Sequence, residues 1–509
     1  MKLRYKNLRT FVTRGGLKLN RSRFLALSCL AVLCGSIGVA QQRSIFDQAS
    51  RLELAGDFKQ AAVLLSGALT AKALSEAERK QLEVELDRLT RIRKDFPFTQ
   101  SELFAELKKS VKGLTAVEFE QWVLESRFDS RQIDGQRRFM VSSVSNLFFR
   151  YPELNPRRIP PKDNTMLDRQ HREVCLAIQD AARRTRQPYV LPKRFHVRMQ
   201  VKANAAAAPD QELIRAWLPI PRQYPFQTGF ELTSASTPIK HIDDPLSPIR
   251  SVYLETPAHK GKPTEFNIEY EYTGYGVWFE LKPQSIQATP DEAILKQYTQ
   301  EAPHVVFTPE IRSLAQEIAG VESNPCLKAK KFYDWIAEHI QYSFAVEYST
   351  IRNISDDCRT KRYGDCGQEA LLFITLCRLN GIPARWQSGW NTFPGAKFIH
   401  DWCEIYLAPY GWVPVDPYMG IYAMRYATTL SWEQRRQIRD FYFGGLDQYR
   451  VIANSDHNQT LSPPKQSLRS DDVDFQRGEL EWGNHNIYFD QYSYDLTVKE
   501  LEKPHKSLE

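Results

Sequence analysis

Cys366 stands in Gly364-Asp365-Cys366-Gly367-Gln368-Glu369-Ala370, a turn that runs into an apolar helical stretch, with His400 and Asp416 downstream. A cysteine at a helix start meets free backbone N–H groups and the positive end of the helix dipole, both of which stabilise a thiolate. A histidine and an aspartate in later strand-like runs supply a base and the group that orients it. The chemistry open to such a set is acyl transfer through a thioester, and Gly367 keeps the approach to sulfur clear. Taken singly, each residue has a plainer role: a buried inert cysteine, a satisfied core histidine, an Asp-Pro turn closing a strand. The ordered combination is what points to catalysis. A zinc site built from Cys358, Cys366, His400 and Cys403 is disfavoured, because residues three apart on a strand face opposite ways and no Cys-x₂-Cys occurs. Cys377 falls deeper along the same helix and reads as core.

The elements that must position this set are legible nearby. The helix is predicted from Cys366 to about Asn380, stopped by Gly381 and Pro383. Ala370, Leu371, Leu372, Phe373, Ile374, Leu376 and Leu379 make it apolar nearly all round, so it should be buried centrally. Strand-like runs follow at 384–390, 400–407 and 411–415. Asn324-Pro325 starts a preceding helix to Gln341, in which Phe332, Trp335, Ile336 and Ile340 should face a core. His339 shares that face and is expected as a core histidine.

Elsewhere the periodicity changes twice. Residues 41–190 read as a helical domain, with one helix–turn–helix hairpin at 49–69 and a capping-box start at Ser75 and Glu78. A single such hairpin at no fixed period is no solenoid. Residues 193–290 alternate with period two and read as a β-sandwich-like domain, in which Phe266, Ile268, Tyr270 and Tyr272 line one face. Residues 291–420 form the catalytic core. Residues 421–509 are a C-terminal extension with a β-hairpin between 479–482 and 487–494. The acidic run Asp471-Asp472-Val473-Asp474 is expected as a solvated loop.

Charge and composition restrict the partners. The chain is 42% hydrophobic and 12% aromatic, enough for packed cores over several domains. Its net charge is +7, yet residues 1–23 alone carry eight basic side chains and no acid, and residues 24–40 no charge. The remainder therefore holds −1, which argues against nucleic acid as a partner. The basic stretch, the uncharged run 24–40 and the small residues Gly38 and Ala40 resemble a signal peptide over 1–40. The expectation is an exported protein, periplasmic or secreted, with membrane anchoring by residues 24–40 as the alternative. Six cysteines follow residue 40, too few for a disulfide scaffold in so long a chain.

The linked motifs Cys366-Gly-Gln-Glu-Ala, Arg378-Leu-Asn-Gly-Ile-Pro-Ala-Arg385, His400-Asp-Trp-Cys-Glu-Ile-Tyr406 and Gly411-Trp-Val-Pro-Val-Asp-Pro417 resemble the transglutaminase-like superfamily core over about 295–420. The β domain with Trp217-Leu-Pro-Ile-Pro221 is similar to one often placed before this core in exported bacterial members. The resemblance implies a multidomain α+β protein: a helical N-terminal domain, a β-sandwich-like domain and a papain-like α+β core. It also implies that Cys366 is the nucleophile, His400 the general base and then acid, and Asp416 the orienter of His400. Tyr342 is a candidate oxyanion donor beside the Cys366 backbone N–H, and Trp390 and Trp402 are candidates to wall a substrate groove. No metal site is expected; crosslinking members of the family use calcium, but no motif here places it. The expected function is a cysteine-dependent peptidase, amidase or acyltransferase acting on peptide or protein substrates, cell-wall peptide among them by analogy. The alternative is a non-catalytic peptide- or glycan-binding protein on the same fold.

Overall fold

Alternation after residue 189 builds long antiparallel strands, because every second side chain reaches one buried face. Tyr189–Ala203 pairs along its length with Thr264–Trp278, and Gln227–Ala235 pairs on the far side of the latter. Phe266, Ile268, Tyr270 and Tyr272 are fully buried, as their spacing predicts. A second sheet is ordered His485–Ile487, Glu479–Trp482, Leu213–Pro219, Ser251–Pro257, His241–Ile242. Side chains from both sheets, including Val197, Met199, Ile214, Leu218, Val252 and Leu254, share one apolar core. The computed structural model describes residues 45–71, 74–289 and 291–502, so the expected signal peptide lies outside the described residues. Among the described residues, no helix is long and apolar enough to cross a membrane.

The chain divides into two compact units, Met1–Leu89 with Gln132–Gly135, and Thr90–Arg131 with Gln136–Glu509. In the first, helix 45–55 and Phe58–Leu69 form the expected hairpin, and Ser75 and Glu78 exchange the capping-box hydrogen bonds. Arg88 is buried between Glu53 and Glu85, whose carboxylates offset the cost of burying its charge. The second unit holds helices Gln100–Ser110, Ala116–Leu124 and Thr165–Thr185, both sandwich sheets and the core.

In that core the Cys366–Leu379 helix packs against a four-stranded antiparallel sheet ordered Gly411–Val415, Ala396–Leu407, Ala384–Phe393, Arg450–Asn454. Residues 366–378 of the helix are all buried. Leu371, Leu372, Phe373, Ile374 and Leu376 are wholly inaccessible, and each contributes about 1.5–3 kcal/mol by burial. Gly381, at φ +71°, ends the helix as expected. Phe332 and Ile336 of the preceding helix, Pro325–His339, and Ile340 just past its end join the same core.

Three expectations are corrected. His339 is exposed, because it is the last residue of its helix: its ring stacks on Trp335 at 4.9 Å and its Nδ1 bonds the Trp335 carbonyl at 2.9 Å. The segment after residue 420 is no separate extension. It contributes Gly445–Leu446 to the first sandwich sheet, Arg450–Asn454 to the core sheet and Glu479–Trp482 to the second sandwich sheet. The hairpin there turns at Gly483-Asn484 into the short strand His485–Ile487. Tyr492–Leu501 leaves it to pair with Tyr189–Ala203, whose edge would otherwise carry unpaired N–H and C=O groups.

Candidate active site

Cys366 is delivered by a cap. Asp365 accepts from the Gln368 N–H at 3.2 Å, and Gln368 Oε1 accepts from the Asp365 N–H at 3.3 Å, which fixes the first helical turn. The N–H groups of Cys366 and Gly367 belong to that turn and have no intrahelical acceptor. Just before the cap, Tyr363–Gly364 pairs in parallel with Gln341–Tyr342, register Gly364 to Tyr342, which sets Tyr342 in the wall of the cavity that holds Cys366. Tyr342 packs edge-on to Phe149 and Tyr418, with ring centroids at 4.8 and 5.0 Å.

His400 and Asp416 come from neighbouring strands. The register Cys403 to Val415 carries the chain just past the strand end at Asp416, which bonds His400 Nε2 at 2.8 Å. Both side chains are wholly buried. Asp416 also caps the Pro417–Ile421 helix through the Met419 N–H and lies 3.0 Å from Arg450 Nη1. Burial alone would raise the Asp416 carboxyl, but His400, Arg450 and these hydrogen bonds outweigh it and hold it below the usual carboxylate range. Burial lowers the His400 pKa against the pull of Asp416, so the imidazole rests neutral at pH 7. An ionised Asp416 can only accept, so Nε2 carries the proton and Nδ1 presents its lone pair. Nδ1 is buried with no hydrogen-bond partner among the described residues.

The thiol itself differs from the sequence expectation. Cys366 Sγ donates to Asp401 Oδ2 at 3.5 Å. Burial pushes the thiol up, and the Asp401 and Asp365 carboxyls add to it, so the resting group is a thiol rather than a dipole-stabilised thiolate. Asp401 is further held by Gln476 Nε2 at 2.5 Å and by the Tyr348 hydroxyl at 3.3 Å; Tyr348 also donates to Asp365 at 2.6 Å. Gly367 makes this contact possible, since a Cβ there would lie 2.1 Å from Tyr348 Oη and 2.8 Å from Asp401 Oδ2. Gly367→Ala is therefore expected to displace Tyr348 and to destabilise this unit by about 1–3 kcal/mol, read as a lower urea midpoint.

Cys366 opens on a cavity of about 1190 Å³. Tyr342, Tyr418, Phe398, Asp365 and Gln476 line it, with Asp401 3.5 Å from the sulfur. Trp390 and Trp402 do not. Trp402 Nε1 donates to Gln387 at 2.6 Å while its ring lies 5.4 Å from His400, and Trp390 Nε1 donates to the Gln476 carbonyl at 3.0 Å. Both indoles are buried supports for the sheet, outside the lining of this cavity. The acidic run is no solvated loop either: Asp471, Val473 and Asp474 are buried and only Asp472 is exposed. Val473 packs into the core behind Cys366, which draws the two flanking aspartates to the cavity. Sequence spacing gave no signal for Arg450 or Gln476, which arrive from far along the chain. Asp401, beside His400 in a strand, was open to notice as an acid in a buried run. All six described cysteines are buried free thiols.

Residues 312–417 match the model of the transglutaminase-like superfamily, so this segment is a transglutaminase-like core, as its motifs imply. Over 246 residues the chain is 24% identical to an uncharacterized protein of Haemophilus influenzae, covering 43% of this chain and 65%, just under two thirds, of that relative. Among solved structures, a candidate cysteine protease from Cytophaga hutchinsonii is similar with a TM-score of 0.40 and 15% identity, over 62% of this chain and 93% of that one. The periplasmic domain of TgpA from Pseudomonas aeruginosa is similar with a TM-score of 0.24 and 16% identity, over 44% and 95%.

Proposed function

We propose that this protein is a cysteine-dependent amide-bond hydrolase or acyltransferase that works through a thioester on Cys366. The observation that carries the reading is the buried His400–Asp416 pair at 2.8 Å, with the Nδ1 lone pair of His400 without a partner among the described residues. In the proposed reaction the thiol turns from Asp401 and gives its proton to His400 Nδ1 as sulfur bonds the substrate carbonyl carbon. The Cys366 N–H, with Tyr342 as the candidate second donor, holds the oxyanion. The C–N bond breaks as the imidazolium protonates the leaving amine. Water or a second amine then yields a proton to Nδ1, bonds the acyl carbon and expels sulfur, which recovers its proton. The Asp416 carboxylate stabilises the imidazolium throughout. No step draws on a cofactor. The basic and apolar pattern of residues 1–40 supports export, and peptide or protein amides are the substrate class.

The upward-shifted thiol favours a second reading, a binding protein on the same fold. The deciding experiment is intact-mass analysis of acid-quenched mixtures with a panel of peptide amides. A hydroxylamine-labile acyl adduct on Cys366, absent from His400→Ala, is the expected result. Binding of peptides with neither adduct nor turnover would give the second reading the lead.

A further inference from the structure

We propose that the carboxylates beside Cys366 form a subsite for a primary ammonium group that the substrate carries close to its reacting carbonyl. This deepens, and rests on, the assignment of Cys366 as nucleophile. Asp365, Asp401, Asp471 and Asp474 line the cavity, Asp401 at 3.5 Å from the sulfur, and Glu347 and Asp95 belong to the same lining. The cation that lies among them is Arg477, and it is committed: it holds Glu347 through two hydrogen bonds of 3.0 and 2.7 Å and lies 3.6 Å from Asp471. Among the described residues no Lys, Arg or His lies within ion-pair distance of Asp365, Asp401 or Asp474. Asp474 is 6% exposed, lines the cavity and makes no side-chain hydrogen bond or ion pair with any described residue. Arg477 and Arg469 act on Asp474 only from beyond ion-pair distance, and buried carboxyls without a direct ion-pair partner cluster where a ligand supplies what is missing.

The missing partner is a cation, and its kind follows from the geometry. Among the described residues, no three His, Cys, Asp or Glu side chains gather as a metal-ligand set. Asp401 already serves Gln476, Tyr348 and Cys366, and Asp365 serves Tyr348 and Gln368. Asp474 keeps its acceptors free, and a primary ammonium has three donors to spread over such a wall. Burial holds Asp365 and Asp474 up at about 6, for Asp474 against the pull of Arg477 and Arg469, so a bound ammonium favours their ionised forms. Asp401, in the same lining, is 3.5 Å from Sγ, so an ammonium that also reaches Asp401 would lie near the carbonyl under attack. The α-ammonium of the residue that contributes the acyl group meets this, as does a side-chain ammonium next to the scissile bond.

The test uses full-length Cys366→Ala, which cannot turn substrate over, and calorimetric titration with four peptide amides. Two differ only in a free or acetylated N-terminus, and two only in lysine or norleucine beside the target amide. The expected result is at least about tenfold tighter binding of an ammonium peptide than of its neutral twin. That preference should be lost in Cys366→Ala/Asp474→Asn while the neutral peptide binds as before, with thermal melting showing that the variant is folded. The pair that shows the preference tells the α-ammonium from the side-chain source. Equal affinities within both pairs, no binding by any peptide, or an equal loss for charged and neutral peptides in Asp474→Asn would overturn the proposal. So would calcium ions binding to Cys366→Ala through Asp474 in preference to the peptides. Ammonium-selective binding without turnover of the same peptides by wild type would instead remove the nucleophile assignment and leave the subsite standing.

Discussion

Cys366→Ala is expected to lower amide turnover by about 10,000-fold or more while moving stability by less than about 1 kcal/mol. The sulfur is the atom on which the proposed reaction depends, so its loss removes the covalent route entirely. Its structural share is small: the side chain makes one long hydrogen bond, to Asp401, at the cavity edge. His400→Ala should fall to a similar rate, because a nucleophile and its base act as one unit and their losses do not add. Steady-state rates on the peptide that gives the largest wild-type signal check both variants. A fall of less than tenfold in either would sink the thioester mechanism.

Arg450→Met is expected to cost about 3–5 kcal/mol of stability and to remove activity as well. Arg450 is 3% exposed and lies between Asp416 at 3.0 Å and Asp447 at 2.9 Å, with the Trp402 ring 5.0 Å away. Methionine fills much of the volume but leaves two buried carboxylates without their counter-charge. Among the described residues Asp447 retains only the Tyr442 hydroxyl at 3.0 Å and the Tyr449 N–H at 2.9 Å. The Asp416 carboxyl would then rise from its depressed range and hold the imidazole less firmly. Urea unfolding of Arg450→Met and of Arg450→Met/Asp447→Asn provides the measurement: the double variant should recover part of the loss, since it removes one stranded charge. A single variant as stable as wild type would show that the two carboxylates do not depend on Arg450.

Local signals made the centre of the site legible and left its surroundings obscure. The Asp365 cap, the apolar run after Cys366 and the Gly381 stop together define a helix whatever it packs against. His400 and Asp416 were legible because adjacent strands place residues by short, regular offsets. Arg450 and Gln476 reach the same point through sheet topology, which no spacing encodes. Trp390 and Trp402 show the limit of proximity in sequence: they flank the site residues, yet each indole faces the sheet interior and is bonded there. The acidic run misleads for a related reason. Its composition favours water, but Val473 is anchored in the core, and the anchor carries its neighbours in.

The weave of the chain after residue 440 bears on when the proposed site can assemble during synthesis. Cys366, His400 and Asp416 are all translated before Arg450 supplies the counter-charge and before Gln476 ties the His400 carbonyl and Asp401 together. The sandwich is completed later still, when Tyr492–Leu501 closes on Tyr189–Ala203, a pairing that spans about three hundred residues and is slow for that reason. A nascent chain that has passed Asp416 therefore holds Cys366, His400 and Asp416 without the partners that fix them in the finished fold. The proposed acyl chemistry would wait for those strands to dock, so its site assembles only in the finished fold.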